Sequence, residues 1–318
     1  MSAHSTPPGP EESSPRPSTM VSPSPTPSLV GLVGLGLLGS ALAERLLGGG
    51  LPVLGHDLDP ARREALGKAG GEVARDTAEV FGRCRRVLLS LPTHVEVKAV
   101  LAAAGSEVRA GHVVVDTTTG DPEATAELAA ELAARGVAYL DATVSGSSSQ
   151  LREGSAVLMV GGDAAAFAAC GDLLAPLGRA TFHCGGPGAG ARMKLVTNVV
   201  LGLNRAALAE GLALAQGLGL DARQALAVMQ GGPAYSRIMD RKGERMLSGN
   251  FTPEARLSQH LKDVRLILEQ GDAAGLPMPL SRAHRSVLEA AESAGLGALD
   301  NSAIIRVLTA RAGTNEPQ

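Results

Sequence analysis

The feature that most constrains this chain is a glycine-rich segment between an apolar run and a helical pattern. The apolar run starts at Leu29, and the helix is predicted over Ser40 to Leu47. The segment between them reads Gly34-Leu35-Gly36-Leu37-Leu38-Gly39. Its first glycine suits a tight turn, its second lets a phosphate approach the backbone, and its third lets the helix pack against the strand. With the positive end of a helix beside it, this segment predicts a site for the pyrophosphate of a dinucleotide.

An acidic residue follows at the spacing expected for such a site. The next apolar run ends at Asp57, 23 residues after Gly34. A carboxylate there accepts hydrogen bonds from the adenosine ribose and repels a 2′-phosphate, which favours NAD over NADP. Arg62 and Arg63 come shortly afterwards. Because a guanidinium binds phosphate well, they leave NADP as the less favoured alternative. No lysine precedes Ser40, so the segment lacks the side chain that a P-loop uses on phosphates.

Six near-continuous apolar runs alternate with Ala- and Glu-rich helical stretches in the first part of the chain. Such runs are typical of parallel strands covered on both faces, and the alternation is typical of βαβ units. The runs cover residues 29–35, 51–57, 86–92, 112–118, 137–142 and 155–162. We therefore predict a Rossmann-type α/β domain with a doubly wound parallel sheet over residues 29–190.

The second part of the chain shows helical periodicity throughout. Breaks such as Gly-Gly-Pro and Leu-Pro-Met-Pro separate the helices from one another. The predicted helices cover residues 191–216, 221–230, 236–247, 256–274, 280–293 and 301–311. This pattern predicts an all-helical C-terminal domain over residues 191–312, followed by a frayed end over residues 313–318.

Composition and charge narrow the classes of partner. The 29 basic and 32 acidic residues give a net charge of −3, without the basic excess that nucleic acids or anionic membranes attract. No segment approaches the ~20 apolar residues of a membrane helix. The three cysteines have neither metal-ligand spacing nor an even count, which favours a reducing compartment. Since the sequence resembles neither a secretory signal nor a transit peptide at its start, we expect a cytoplasmic protein. Residues 1–28 are dominated by Pro, Ser and Thr, and we predict a disordered tail there.

Separate motifs follow the glycine-rich segment in order along the chain. They are Leu91-Pro92, Asp116-Thr117-Thr118-Thr119 with Pro122, Asp141-Ala142-Thr143-Val144-Ser145-Gly146-Ser147, Gly188-Ala189-Gly190 before Lys194 and Asn198, and Phe251 with Lys262-Asp263. Taken together, they resemble the β-hydroxyacid dehydrogenase family, the group of 3-hydroxyisobutyrate dehydrogenase and tartronate semialdehyde reductase, over residues 29–311. The resemblance implies NAD-dependent interconversion of a small 3-hydroxy carboxylate and its semialdehyde. 3-Hydroxyisobutyrate is the leading substrate, and tartronate or succinic semialdehyde are alternatives.

The resemblance also implies roles for individual residues. Lys194 matches the family's catalytic acid/base, and Asn198 matches the residue that orients the substrate. The substrate-binding candidates are Ser145, Gly146, Ser147 and Thr119. The cofactor-binding candidates are Gly34, Leu35, Gly36, Leu37, Leu38, Gly39, Asp57, Leu91, Pro92, Thr119 and Lys262. Members of the family pair through the helical domain, so the resemblance implies a homodimer or homotetramer.

Lys194 and Asn198 also suit these roles on physical grounds. Their i, i+4 spacing places them on one helix face, just after the Gly-rich joint between the predicted domains. A lysine can take the proton of a hydroxyl if burial, or a cation such as Lys262, lowers its pKa. Arg205, eleven residues past Lys194, is predicted to lie at the surface or in a dimer interface. The histidines form no ligand cluster in the sequence, so no metal site is predicted.

The substrate loop departs from the family pattern, and other functions stay open. Thr143 stands where the family has proline, Ser147 where it has glycine, and Thr197 where many members have asparagine. These changes leave the identity of the acid open. An imine reductase of the same fold commonly lacks the lysine, and a non-catalytic NAD-binding sensor is expected to have a damaged catalytic set. Hydrolysis through Ser145 is disfavoured because no nucleophile elbow surrounds it.

Overall fold

The computed structural model describes residues 28–309, and its first part is one eight-stranded sheet. The strand order is β3-β2-β1-β4-β5-β6-β7-β8. The strands are β1 (Val30–Val33), β2 (Val53–His56), β3 (Glu72–Val73), β4 (Arg86–Leu89), β5 (Val113–Asp116), β6 (Ala138–Ser145), β7 (Val157–Gly161) and β8 (Ala180–Gly185). The predictions for residues 1–27 and 310–318 lie outside the described residues.

The order of the strands reverses between β1 and β4, which lie side by side in parallel. The chain runs outward from β1 to β3 and then returns to add β4 and its successors on the other side. In open sheets of this kind, ligands bind beyond the carboxyl ends of the strands at such a switch point. This topology confirms the predicted doubly wound Rossmann-type domain.

The sheet differs from the predicted one in three strands. β3 is a two-residue strand with both side chains exposed, and β8 is exposed in its middle, so neither has a continuous apolar run. β7 lies antiparallel to β6, whereas every other neighbouring pair is parallel. Only eleven residues, 146–156, connect the two strands. A parallel crossover needs about a dozen or more, so the short connection returns the chain in the opposite direction.

Helices cover both faces of the sheet. They are α1 (Leu37–Gly48), α2 (Pro60–Lys68), α3 (Thr77–Arg83), α4 (His94–Ala104), α5 (Pro122–Ala133), α6 (Ser148–Arg152), α7 (Ala164–Ala169) and α8 (Gly171–Leu174). Alternate strand residues feed two cores, because Leu32 packs with α1 on one face while Val33 packs with α3 on the other. Aspartate caps begin several of these helices, for example Asp59 at α2 and Asp121 at α5.

The second part of the described chain is helical. It consists of α9 (Ala189–Gly217), α10 (Ala222–Gly231), α11 (Arg237–Ser248), α12 (Leu257–Ala273), α13 (Pro279–Ser293), a 3₁₀ turn at Asn301–Ile304 and α14 (Ile305–Thr309). α9 packs against β6 and β7 at its start and against α11, α12 and α13 further on. One apolar cluster, including Leu208, Leu261 and Leu288, holds these helices together. α9 therefore connects the sheet to the helical core. No helix among residues 28–309 is long and apolar enough to cross a membrane.

Candidate active site

The glycine-rich segment forms the turn between β1 and α1. Gly34 has a φ of 93°, and a side chain there would collide with the carbonyl of Ser90, while one at Gly39 would collide with the carbonyl of Gly34. At Gly36, the N-cap of α1, the nearest atom to an added Cβ is Arg62 Nη1 at 3.8 Å. No side chain caps α1. The segment is thus closed against β4 and open at Gly36, which suits a phosphate bound to backbone N–H groups.

Asp57 lies directly beside this segment. Its carboxylate accepts hydrogen bonds from the backbone of Leu35 at 2.7 Å and of Asp59 at 2.9 Å. Burial raises its pKa, but these bonds and the charge of Arg62 outweigh burial, so the net pKa is lowered. The side chain is therefore an ionised acceptor at the end of β2, where the sequence predicts the adenosine ribose.

The two arginines after Asp57 face different groups. Arg62 Nη1 lies 3.4 Å from Asp57 Oδ2, and its side chain is 47% exposed. Arg63 Nη1 instead donates to the backbone carbonyls of Asp57 and Leu58. Of these two cations, Arg62 is the one beside both Gly36 and the acidic residue.

Lys262 joins the helical part to the sheet near the predicted nicotinamide end. From α12, its Nζ donates to the carbonyl of Thr119 at 2.6 Å and lies 3.4 Å from that of Pro92. Thr119 follows β5, and Leu91-Pro92 follows β4. Because β1, β4 and β5 are neighbouring parallel strands, their carboxyl ends meet at one edge. The structure therefore brings these predicted cofactor-binding residues to the edge that carries Gly34.

The first turn of α9 is anchored to β6. Asp141 accepts hydrogen bonds from the backbone N–H groups of Gly188 at 2.9 Å and Ala191 at 2.8 Å. The Thr143 hydroxyl donates to the carbonyl of Gly190 at 2.9 Å. A side chain at Gly190 would collide with the carbonyl of Asp141. The threonine in the usual place of proline thus ties the strand to the helix that carries Lys194, a contact that sequence reasoning missed.

Lys194 extends from α9 towards the end of β6 and is buried, with 8% of its surface exposed. Its Nζ donates to the carbonyl of Val144 at 2.6 Å. Burial lowers its pKa, the charges of Arg205 and Lys262 lower it further, and Asp263 acts in the opposite direction. An ammonium held by a neutral carbonyl in such surroundings gives up its proton more readily than a solvated lysine.

Asn198 lies one helical turn after Lys194 and is also buried. Its Nδ2 donates to Asp263 Oδ2 at 3.0 Å. Burial raises the pKa of Asp263, whereas the charges of Lys262 and Lys194 oppose that rise. Asp263 thus holds the amide of Asn198 in place on the face of α9 that carries Lys194.

The predicted carboxylate loop begins directly after the carbonyl that holds Lys194. Ser145 is the half-buried last residue of β6, and Gly146 has a φ of 148°. The Ser147 hydroxyl caps α6 by accepting from Gln150 N at 3.3 Å, and Gln150 Oε1 accepts from Ser147 N at 3.0 Å. The Ser147 hydroxyl is thus already engaged, whereas Ser145 stands beside the lysine.

Three side chains of the helical part are buried although the sequence analysis predicted a buried position for none of them. Arg205 is 2% exposed, so the surface position predicted for it is wrong. His260 and His284 are buried too, with ring centroids 5.2 Å apart. The two histidines are distant in sequence, and no local pattern signals their meeting. No group of three or more His, Cys, Asp or Glu residues within residues 28–309 is arranged to hold a metal ion.

Two known sequence families match consecutive segments of the chain. The NAD binding domain of 6-phosphogluconate dehydrogenase matches residues 29–186. The family described as NAD-binding of NADP-dependent 3-hydroxyisobutyrate dehydrogenase matches residues 188–308. The two matches cover the sheet and the helical part in turn.

Curated relatives match over most of the chain. 2-(Hydroxymethyl)glutarate dehydrogenase from Eubacterium barkeri is 32% identical over 282 residues, which are 87% of this chain and 94% of that protein. Cytokine-like nuclear factor N-PAC from Xenopus tropicalis is 32% identical over 285 residues, 89% of this chain. The match spans 53% of N-PAC, about half of its length.

Solved structures share the whole architecture. A 3-hydroxyisobutyrate dehydrogenase from Salmonella typhimurium matches with a TM-score of 0.82 and 27% identity over 88% of this chain and 99% of that one. An imine reductase from a Pseudomonas species matches with a TM-score of 0.62 and 22% identity over 89% of this chain and 99% of that one. This likeness shows a shared fold alone. The chain therefore belongs to the 3-hydroxyisobutyrate dehydrogenase family of β-hydroxyacid dehydrogenases and is an NAD-dependent hydroxyacid dehydrogenase.

Proposed function

We propose that this chain interconverts a short 3-hydroxy acid and its semialdehyde with NAD(H), and that 3-hydroxyisobutyrate is the first compound to test. The observation that carries the proposal is the buried Lys194, whose Nζ donates to the carbonyl of Val144 beside Ser145. A hydroxy acid with its carboxylate on Ser145 and Gly146 places its hydroxyl within reach of that amine.

The residues of the chain divide the work between binding and proton transfer. The turn at Gly34–Gly39, Asp57 and the carboxyl ends of β4 and β5 hold the dinucleotide, whose nicotinamide exchanges the hydride when bound. Lys194 in its neutral form takes the hydroxyl proton, and in the reverse direction the ammonium returns it. Asn198, oriented by Asp263, hydrogen-bonds the reacting oxygen.

NAD is the proposed cofactor because the ionised Asp57 repels a 2′-phosphate. Its carboxylate is fixed by the Leu35 and Asp59 amides, so it cannot turn away freely. Arg62 is the group that supports some use of NADP, since its guanidinium lies beside Asp57.

Lys194 also separates this proposal from the alternatives. Neither a carbon–nitrogen double bond as substrate nor a non-catalytic binding role explains a buried lysine and a carboxylate-oriented asparagine on one helix face. Both groups match the needs of alcohol oxidation, so the hydroxyacid reaction has the stronger support.

The test is a spectrophotometric screen at 340 nm with NAD and NADP against hydroxy acids and semialdehydes, including 3-hydroxyisobutyrate, tartronate semialdehyde, succinic semialdehyde and 2-(hydroxymethyl)glutarate. Lys194→Ala is the test variant, and Lys68→Ala, which replaces a 75% exposed lysine, is the matched control. We expect turnover with at least one acid, lost in Lys194→Ala and kept in the control. NAD binding without turnover of any acid would refute the proposal.

We further propose that the helical part pairs two or more copies of the chain. Val196, Val200 and Leu214 are exposed along α9, and Leu218 is exposed directly after it; their helical spacing places them on one apolar stripe. Light scattering on the purified chain and on Val200→Asp tests this, with a monomeric native chain as the contrary result. The cytoplasmic location stays a prediction.

A further inference from the structure

A buried cation lies beyond the catalytic residues on α9. Arg205, with His260 from α12 and His284 from α13, forms what we call the Arg205 cluster. The Nε and Nη1 atoms of Arg205 and the Nε2 atoms of both histidines have no hydrogen-bond partner among residues 28–309. Burial lowers the pKa of Arg205 to about 10, which still leaves it charged at neutral pH.

No carboxylate in the described part of the chain forms an ion pair with Arg205. Asp300 is near enough to raise the pKa of Arg205, but its oxygens accept from Lys242 Nζ at 2.9 and 3.0 Å and from the Ser302 hydroxyl at 2.7 Å. The histidines are neutral, because burial and then the charge of Arg205 lower the pKa of His284 to about 4 and that of His260 well below its usual range. The guanidinium is therefore a buried charge without a hydrogen-bonded counter-ion among residues 28–309.

The cluster lies close to the reacting centre. Lys194, Asn198, Gly202 and Arg205 share the buried stripe of α9. The charge of Arg205 acts on Lys194 and on both imidazoles, so these groups lie near its guanidinium. An added Cβ at Gly202 would lie 2.8 Å from His260 Nε2 and 2.9 Å from His284 Cε1. The imidazoles thus lie against Gly202, about one helical turn, or ~5.4 Å, beyond Asn198.

We propose that the Arg205 cluster binds a second carboxylate of the substrate, so that the preferred substrate is a dicarboxylic 3-hydroxy acid. This inference rests on the proposed function. One carboxylate occupies Ser145 and Gly146, the hydroxyl meets Lys194, and a side arm of a few carbons carries the other carboxylate to Arg205. A guanidinium fork with neutral imidazole N–H donors is a donor set suited to a carboxylate, and Asn198 lies between the two anion sites.

Two substrates with the same reacting group provide the test. 2-(Hydroxymethyl)glutarate and 2-(hydroxymethyl)pentanoate share the hydroxymethyl acid core and differ in the second carboxylate. We expect Arg205→Met to lower kcat/KM for the dicarboxylate about 30-fold or more, and for the monocarboxylate less than about 3-fold. Arg223→Met, which removes an exposed arginine, is the control. Equal losses on both substrates would overturn the proposal, because Arg205 would then act through Lys194.

A measurement without any variant guards against a folding defect. Calorimetry of the wild-type chain with NADH compares glutarate with its monoamide, which differ in one negative charge. We expect glutarate to bind at least about 10-fold more tightly, and equal affinities would contradict the second anion site. Tight, Arg205-dependent binding of glutarate without turnover of any hydroxy acid would keep the anion site and reject the proposed function.

The stability of Arg205→Met separates a ligand role from a structural one. Replacing an unpaired buried charge by an apolar side chain of similar length leaves Tm unchanged or raises it. A clear fall in Tm, together with loss of both substrates, would show that a group within the assembly already pairs with Arg205 and would overturn the proposal.

Discussion

Two buried lysines in two regions of the molecule have opposite electrostatic surroundings. In the helical core, Lys242 is 5% exposed and forms an ion pair with Asp300 at 2.9 Å. In the cleft between α9 and the sheet, Lys194 is 8% exposed and donates to a neutral carbonyl. The first lysine has a hydrogen-bonded counter-ion. The pKa of the second is lowered by burial and by the charges of Arg205 and Lys262, although the charge of Asp263 opposes that shift. Burial with a counter-ion holds a structure together, and burial without one prepares a group for proton transfer.

The largest expected effect is on the unbalanced lysine. Lys194→Ala should lower kcat/KM by a factor of about 10² to 10⁴, because the proton of the hydroxyl loses its acceptor. Its free energy of unfolding should change little, since a desolvated amine is removed together with its charge. Steady-state kinetics and NADH binding check the loss of kcat/KM, and urea unfolding of the same preparation checks the free energy of unfolding. A large loss of stability would mean that the two lysines do not differ as described.

Lys242→Met should lower the free energy of unfolding and leave activity nearly unchanged, the opposite of Lys194→Ala. The substitution leaves Asp300, with no exposed surface, without its ammonium partner, and breaking such a pair costs about 3 to 5 kcal/mol. Urea unfolding measures the loss, with Arg223→Met as the exposed control. The kinetic constants of the folded fraction should stay close to those of the wild type. A stability loss below 1 kcal/mol would show that the ion pair is not what balances this region.

The same pair predicts an acid limb of stability. Burial raises the pKa of Asp300, but the charge and hydrogen bond of Lys242 and the bonds from Ser302 outweigh it and lower that pKa to about 2. Since the folded pKa lies below that of the unfolded chain, about 3.9, the stabilisation is complete above roughly pH 5 and is lost as pH falls towards 2. Unfolding between pH 2 and 6 should show a steeper acid limb in the wild type than in Lys242→Met.

The pKa of Lys194 can be changed without replacing Lys194 itself. Lys262→Met removes a cation that lowers the Lys194 pKa, so that pKa should rise. The rate of alcohol oxidation depends on neutral Lys194, and its rising limb should therefore move to higher pH. A pH profile of kcat/KM checks the direction. A limb that stays in place would mean that Lys262 does not act on the Lys194 pKa, and a limb that moves to lower pH would contradict the direction of its effect.

The smallest effect is expected at an exposed pair. Arg62 and Asp57 are 3.4 Å apart, and the arginine is 47% exposed, so the pair adds about 0 to 1 kcal/mol to stability. Arg62→Ala should leave Tm and the KM for NAD nearly unchanged and raise the KM for NADP by a factor of about 3 to 10. Arg63→Ala is the matched control, because Arg63 contacts backbone carbonyls instead. If the substitution changed the KM for NAD and the KM for NADP by the same factor, Arg62 would not contribute to the choice between the cofactors.

Local patterns were enough to predict much of the fold. The continuous apolar runs became β1, β2, β4, β5, β6 and β7, and the first five periodic stretches after residue 190 became helices with ends within a few residues of those predicted. The sixth stretch begins as a 3₁₀ turn, and its predicted end lies outside the described residues. β3 and β8 escaped because short or exposed edge strands need no continuous apolar run. The antiparallel direction of β7 depends on the length of the connection before it, which no single strand pattern contains.

The sequence by itself determined the glycine-rich turn, Asp57 and the order of the motifs that carry Lys194 and Asn198. These features depend on backbone conformation and on neighbours a few residues away, so they leave a local signature. Only the tertiary structure decided that Arg205, His260 and His284 are buried near one another, and that no carboxylate pairs directly with Lys194 as Asp300 pairs with Lys242. Charge balance in an interior is set by groups from distant parts of the chain, because the low dielectric makes every neighbour count whatever its place in the sequence.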